Sequence, residues 1–147
     1  FKALHYNEPA LRIMARLEIP SVIGNHDYRV REQHAHRMDE EARSYLQDLP
    51  FSLDVRFGSR RLMIYHATPD SRDDTVLENA DRSTLQSVFD LEEADLFVVG
   101  HTHSPYRKAV GSTEILNPGA LGVDGLSPSF CLLDRNGDIE FRTLDTD

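Results

Sequence analysis

An α/β fold is predicted, on three observations. Apolar runs of strand length stop abruptly in Gly, Asn or His at Ile23-Gly24-Asn25, Tyr65-His66 and Val99-Gly100-His101. Segments of helical spacing lie between those runs, and the final third turns to the alternation and turn residues of antiparallel hairpins. Strands alternating with helices imply a parallel component, and the rim where such strands end is where ligands bind in open α/β sheets.

Asn7 to Leu17 carries Ala10, Leu11, Met14, Ala15 and Leu17 at helical spacing, with Pro9 near the first turn. Pro20 ends it, and Ser21-Val22-Ile23 reads as a short buried strand into Gly24. Arg31 to Leu49 is rich in helix formers, with Tyr45, Leu46 and Leu49 as its inward face and Pro50 as its stop. Leu53 to Phe57 and Arg61 to His66 flank Gly58-Ser59 and predict a hairpin. Two short helices follow, Asp70 to Asn79 and Ser83 to Glu93, the second with Ser83 as N-cap. Leu96 to Val99 is wholly apolar, which suits a strand buried on both faces. Tyr106 to Val110 and Glu114 to Leu116 flank Gly111-Ser112-Thr113. Ser129 to Leu133 and Ile139 to Leu144 flank Arg135-Asn136-Gly137, where Asn-Gly can supply the positive φ values of a tight hairpin.

At 147 residues the chain reads as one domain, residues 1–147, with length enough for a substantial core. Its 16 basic and 25 acidic residues give a net charge of −9, which disfavours long nucleic acid and anionic membrane surfaces. No run approaches the about 18 apolar residues that a bilayer span needs. The single Cys131 sits in an apolar run and reads as a reduced thiol, which points to a cytoplasmic setting. The chain opens on Phe1 rather than Met, in a stretch without pattern, and the expectation is that the domain is N-terminally incomplete.

Chemistry concentrates in three phrases: Gly24-Asn25-His26-Asp27, Tyr65-His66-Ala67 and Gly100-His101-Thr102-His103. Neutral imidazoles and amide oxygens brought together at strand ends are ligands for divalent metals. Taken singly, each phrase has a plainer explanation. The first fits a polar turn, the third a solvated loop, and His66 a histidine at a strand end. His34 and His36 stand two apart on a predicted helix and make a poor chelate. His5 stays unassigned, the acidic group Asp70, Asp73 and Asp74 suits a helix start, and Arg72 and Arg107 suit the surface.

In order and spacing, Val22-Ile23-Gly24-Asn25-His26-Asp27, Tyr65-His66 and Val98-Val99-Gly100-His101-Thr102-His103 resemble the calcineurin-like metallophosphoesterases, and within them the small YfcE-like phosphodiesterases. His66-Ala67-Thr68-Pro69 and Asn117-Pro118-Gly119-Ala120 strengthen the likeness, which runs from about Glu8 to the C-terminus. It implies a four-layer α/β/β/α sandwich of two mixed sheets, here missing its first strand-helix-strand unit. Two phrases that precede Gly-Asn-His in the family, Asp-x-His and Gly-Asp-x-x-Asp, do not occur in these residues.

Carried over by position, the resemblance makes Asn25, His66 and His101 ligands of one metal and His103 a ligand of the other. It implies two divalent cations, with Mn expected and Fe, Ni, Co or Zn accepted by such donors. His26 would position the phosphate or protonate the leaving oxygen, and Asp27 would orient His26 or hold it protonated. Asn117-Pro118-Gly119 would shape the neighbouring loop. The implied activity is hydrolysis of a small phosphoester, most simply a phosphodiester, through in-line attack by a metal-bound hydroxide. The alternative is a non-catalytic protein-binding scaffold on the same fold with a degenerate metal site, as in the retromer-type subunit. An exposed sheet edge would also favour association with a second copy.

Overall fold

Leu96 and Phe97 have no solvent-exposed surface, and the strand they form is the axis of the molecule's main sheet. The computed structural model describes residues 7–122 and 125–144; His5 lies outside them. The chain folds as two compact units, one ending at Phe51 and one beginning at Ser52. Among the described residues there are four α-helices and seven strands.

The first unit is helical. Helix α1 (Glu8–Arg16) begins where the Asn7 side chain accepts a hydrogen bond from the Ala10 amide at 3.1 Å, with Pro9 in the first turn. Ser21-Val22-Ile23 departs from expectation: it joins no ladder among the described residues. The Ile23 amide instead donates to the Pro50 carbonyl at 2.8 Å, so its backbone pairing goes to a loop. The predicted helix from Arg31 to Leu49 is likewise replaced. Helix α2 (Asn25–His34) starts directly after Gly24 and runs into a single 3₁₀ turn (Ala35–Arg37); α3 (Glu40–Asp48) then starts afresh. The break is chemical. Asp39 accepts from the Ala42 amide at 2.8 Å and so caps a new helix instead of continuing the old one. Val30, Met38, Ala42 and Leu46 form the core of this unit, with Leu11 and Leu49 against them.

The second unit is built on a mixed sheet of order β1-β2-β3-β5-β4. Strands β1 (Ser52–Phe57) and β2 (Arg60–Tyr65) form the expected hairpin, with Gly58 at φ 62° in its turn. Strand β3 (Leu96–Val98) lies parallel to β2 and to β5 (Thr113–Asn117), while β4 (Tyr106–Val110) pairs antiparallel with β5. Alternation along β3 sends Leu96 and Val98 to one face and Phe97 to the other. On the first face, Leu62, Leu96 and Leu116 meet Cys131, Leu133 and Ile139 from the second sheet, the hairpin of β6 (Ser129–Leu133) and β7 (Ile139–Thr143). On the second face, Phe97 stacks at 4.9 Å on Phe89, which follows helix α4 (Arg82–Val88). Complete burial of Leu96, Phe97 and Ile115 contributes roughly 1.5–3 kcal/mol apiece. The mixed α/β architecture expected from the sequence is thus present, although the described part of the second sheet is a two-stranded antiparallel ribbon.

Three local expectations are corrected. Residues 70–79 form no helix, because Thr68 and Ser71 capture nearby amides: the Ser71 amide donates to Thr68 Oγ1 at 3.0 Å, and those of Asp73 and Asp74 donate to Ser71 Oγ. Helix α4 is shorter than predicted, and its cap is Asp81, not Ser83; Asp81 accepts from the Thr84 amide at 2.7 Å and from the Ser83 hydroxyl at 2.8 Å. In the β6–β7 turn Gly137 has φ 91° but Asn136 does not enter the left-handed region. Asp134 organises that turn, accepting from the amides of Asn136 and Asp138.

Candidate functional site

Parallel pairing brings the ends of β2, β3 and β5 to one rim, and the sequence phrases His66, Gly100–His103 and Asn117–Gly119 sit there. The Gly100 amide donates to the His66 carbonyl at 2.8 Å, and the Val99 amide to the Leu116 carbonyl at 2.8 Å, so the three strand ends are tied together. A β-carbon at Gly100 would lie 3.3 Å from the His66 carbonyl oxygen, which is why the closest approach falls on a glycine.

His66 and His101 are brought together. Nε2 of His66 lies 3.2 Å from Nδ1 of His101, and the rings meet edge to face with centroids 5.2 Å apart. As a hydrogen bond, this contact requires a proton on one of the two nitrogens and a lone pair on the other, and the tautomer decides which is which. The alternative for the same geometry is two lone pairs converging on a shared cation.

His101 holds this position in a strained turn. The Thr102 amide donates to the Gly100 carbonyl at 2.7 Å, which closes a γ-turn on His101 at φ 66°. The positive-φ form is the rare one, and a non-glycine residue held there costs on the order of 1–3 kcal/mol. His103 is also left-handed, at φ 60°, and exposed.

Behind the loop lies a residue whose part the sequence hid. Asn117 is fully buried, and its amide nitrogen donates to the Gly100 carbonyl at 2.8 Å and to Thr102 Oγ1 at 2.9 Å. Its amide oxygen accepts from Gly119 at 2.9 Å. The sequence signal was an Asn at a strand end before Pro-Gly, enough to suggest loop shaping but not which loop.

Within the first unit, Asn25, His26 and Asp27 form the first turn of α2. Asp27 Oδ2 accepts the Gly24 amide at 3.0 Å, half of a capping box, and its charge suits the positive end of the helix. Asn25 Oδ1 accepts from the His26 amide at 2.9 Å. The His26 ring is exposed, beside a cavity of about 210 Å³ lined also by Leu11, Val30 and Leu46. His34 ends α2 and His36 lies exposed in the 3₁₀ turn. A wider concavity of about 520 Å³, lined by Arg56, Arg61, Glu93 and Asp95, lies where β3 begins, away from the histidine rim.

The donor set fits a divalent metal in part. Two imidazoles converge, and imidazole suits Zn, Fe, Ni and Co. Among the described residues no three His, Cys, Asp or Glu side chains gather into one group.

Residues 5–138 match the model of the calcineurin-like phosphoesterase superfamily domain. No curated protein matches the sequence significantly. Among solved structures, the fold is similar to a hypothetical protein from Pyrococcus horikoshii OT3, at TM-score 0.75 and 16% identity over 95% of this chain and 68% of that one. It is similar to a metallophosphoesterase from Sphaerobacter thermophilus, at TM-score 0.69 and 21% identity over 95% and 71% of the two chains. It also resembles an archaeal phosphodiesterase, at TM-score 0.57 and 16% identity over 91% and 74%. The family match over nearly the whole chain and the strand-end histidines lead to one conclusion: this chain belongs to the calcineurin-like phosphoesterase superfamily.

Proposed function

We propose that the protein is a metal-dependent phosphodiesterase of the YfcE-like kind, acting on a small phosphoester. The observation that carries this reading is the His66–His101 pair, two ring nitrogens 3.2 Å apart at the ends of neighbouring parallel strands. In this proposal Asn25, His66, His101 and His103 hold divalent cations, with Mn expected. Bound there, two cations would neutralise phosphate charge and acidify a water.

The chain's own groups supply the rest. His26 and Asn25 occupy the first turn of a ten-residue helix, whose dipole favours an anion. That placement supports His26 as the residue that positions the phosphate or protonates the leaving oxygen. Asp27 holds the helix start through Gly24, which fixes the backbone from which His26 projects. Cys131 is the single cysteine of these 147 residues, which suits the reducing, cytoplasmic setting proposed here.

Hydrolysis of a generic aryl phosphodiester by the full-length protein with added Mn²⁺ tests the reading. Metal-dependent turnover that is lost on His26→Ala is the expected result. Absence of turnover together with no retained metal would overturn it and favour the scaffold alternative.

A further inference from the structure

We infer that Asn117 is the positioning residue that aims His101 at His66, so that the ring pair is set from strand β5 as well as by its own loop. The consequence for metal binding rests on the proposed role of the two histidines; the geometry itself does not.

The Gly100–His103 loop would not hold its shape unaided. His101 and His103 both sit at positive φ, where L-residues rest poorly. The tie from the Gly100 amide to the His66 carbonyl fixes the loop's start and reaches no further. Asn117 supplies what is missing. Its single amide group bonds both flanks of His101, the carbonyl of Gly100 on one side and the hydroxyl of Thr102 on the other.

The orientation of that amide is itself determined. The Gly119 amide can bond only to an oxygen, so Oδ1 faces Gly119 and both N–H groups face the loop. Full burial makes any other arrangement leave polar atoms without partners. Asn117 also stands in the ladder opposite Tyr106 and is thereby anchored in the sheet. A strained turn persists only where its surroundings over-determine it, and here the Asn117 side chain bonds the turn on both flanks, in addition to the loop's own Thr102–Gly100 bond.

The test uses the full chain, metal-free and ¹⁵N-labelled, with the histidine rings read by long-range proton–nitrogen correlation. In the unsubstituted protein His66 and His101 should each show one tautomer, with a protected ring N–H between them. Asn117→Ala should abolish that N–H signal and average both tautomers. Asn117→Asp should do the same, because a carboxylate accepts from Gly119 but donates nothing to Gly100. Thr102→Ser should preserve the signal and Thr102→Val should weaken it. A folded Asn117 variant with unchanged ring tautomers overturns the inference; should the Asn117 variants not fold, an unchanged spectrum in Thr102→Val does so. Titration with Co²⁺ alone separates the two claims. Loss of an orienting partner lowers metal affinity by about 10–100-fold, which is the loss expected for Asn117→Asp. An unsubstituted protein that binds no Co²⁺ defeats the ligand reading, while the ring spectra still decide the positioning of His101.

Discussion

His66 and His101, 35 residues apart in sequence, meet ring to ring with Nε2 and Nδ1 at 3.2 Å. Each ring is delivered by a different strand, so the pair exists only because β2 and β3 run parallel in adjacent register. Replacement of either ring by alanine should alter the visible d–d spectrum of the Co²⁺-loaded protein and weaken Co²⁺ binding by at least about 10-fold. His36→Ala, at an exposed position on the 3₁₀ turn, should leave both unchanged.

The loop behind Asn117 depends on a glycine. Gly119 has φ 89°, and a β-carbon there would lie 1.8 Å from Ser129 Oγ. Gly119→Ala should therefore cost about 2 kcal/mol or more, from backbone strain and the clash together. Adding Ser129→Ala should recover part of that loss, since it removes the nearest atom. Urea unfolding of the two single variants and the double variant measures the coupling, and strict additivity would contradict the contact.

Helix α4 should report its cap through acid. Hydrogen bonds from the Thr84 amide and the Ser83 hydroxyl bring the Asp81 carboxyl down from 3.8 to about 2. A folded-state pKa below the unfolded one contributes stability above pH 3.8, and that contribution is lost as the pH falls toward 2. Asp81→Asn retains a capping side chain and should flatten the acid limb of a thermal-denaturation series across that interval.

Tyr106 works in the opposite direction. Burial, reinforced by Glu78, pushes its phenol from 10.0 up to about 12. Its hydroxyl donates to the Val76 carbonyl at 3.0 Å and holds the 76–80 segment against β4. The contribution is complete below pH 10 and fades as the pH rises toward 12, the sign for a raised pKa. Tyr106→Phe should cost roughly 1–3 kcal/mol by leaving the Val76 carbonyl without its partner. An ultraviolet phenolate titration should lose its latest-ionising tyrosine in that variant.

The sequence by itself determined the strand and hairpin order from Ser52 onward and the strand-end position of His66 and of Gly100–His103, though not that of Gly24–Asp27, which opens a helix. Both follow from local signals: apolar runs of strand length, turn residues, and glycine where strand gives way to ligand. Helix limits were legible only in part, because caps compete along the chain. Asp39 and Asp81 each win a helix start that composition assigned elsewhere, and Thr68 and Ser71 unmake a helix by taking its amides. Tertiary structure alone decided which strands are neighbours, hence that His66 faces His101, and that Asn117 reaches across from β5 to hold the turn between them. Such relations are set by the register of a sheet, which joins residues far apart in sequence and leaves no periodic trace in either segment.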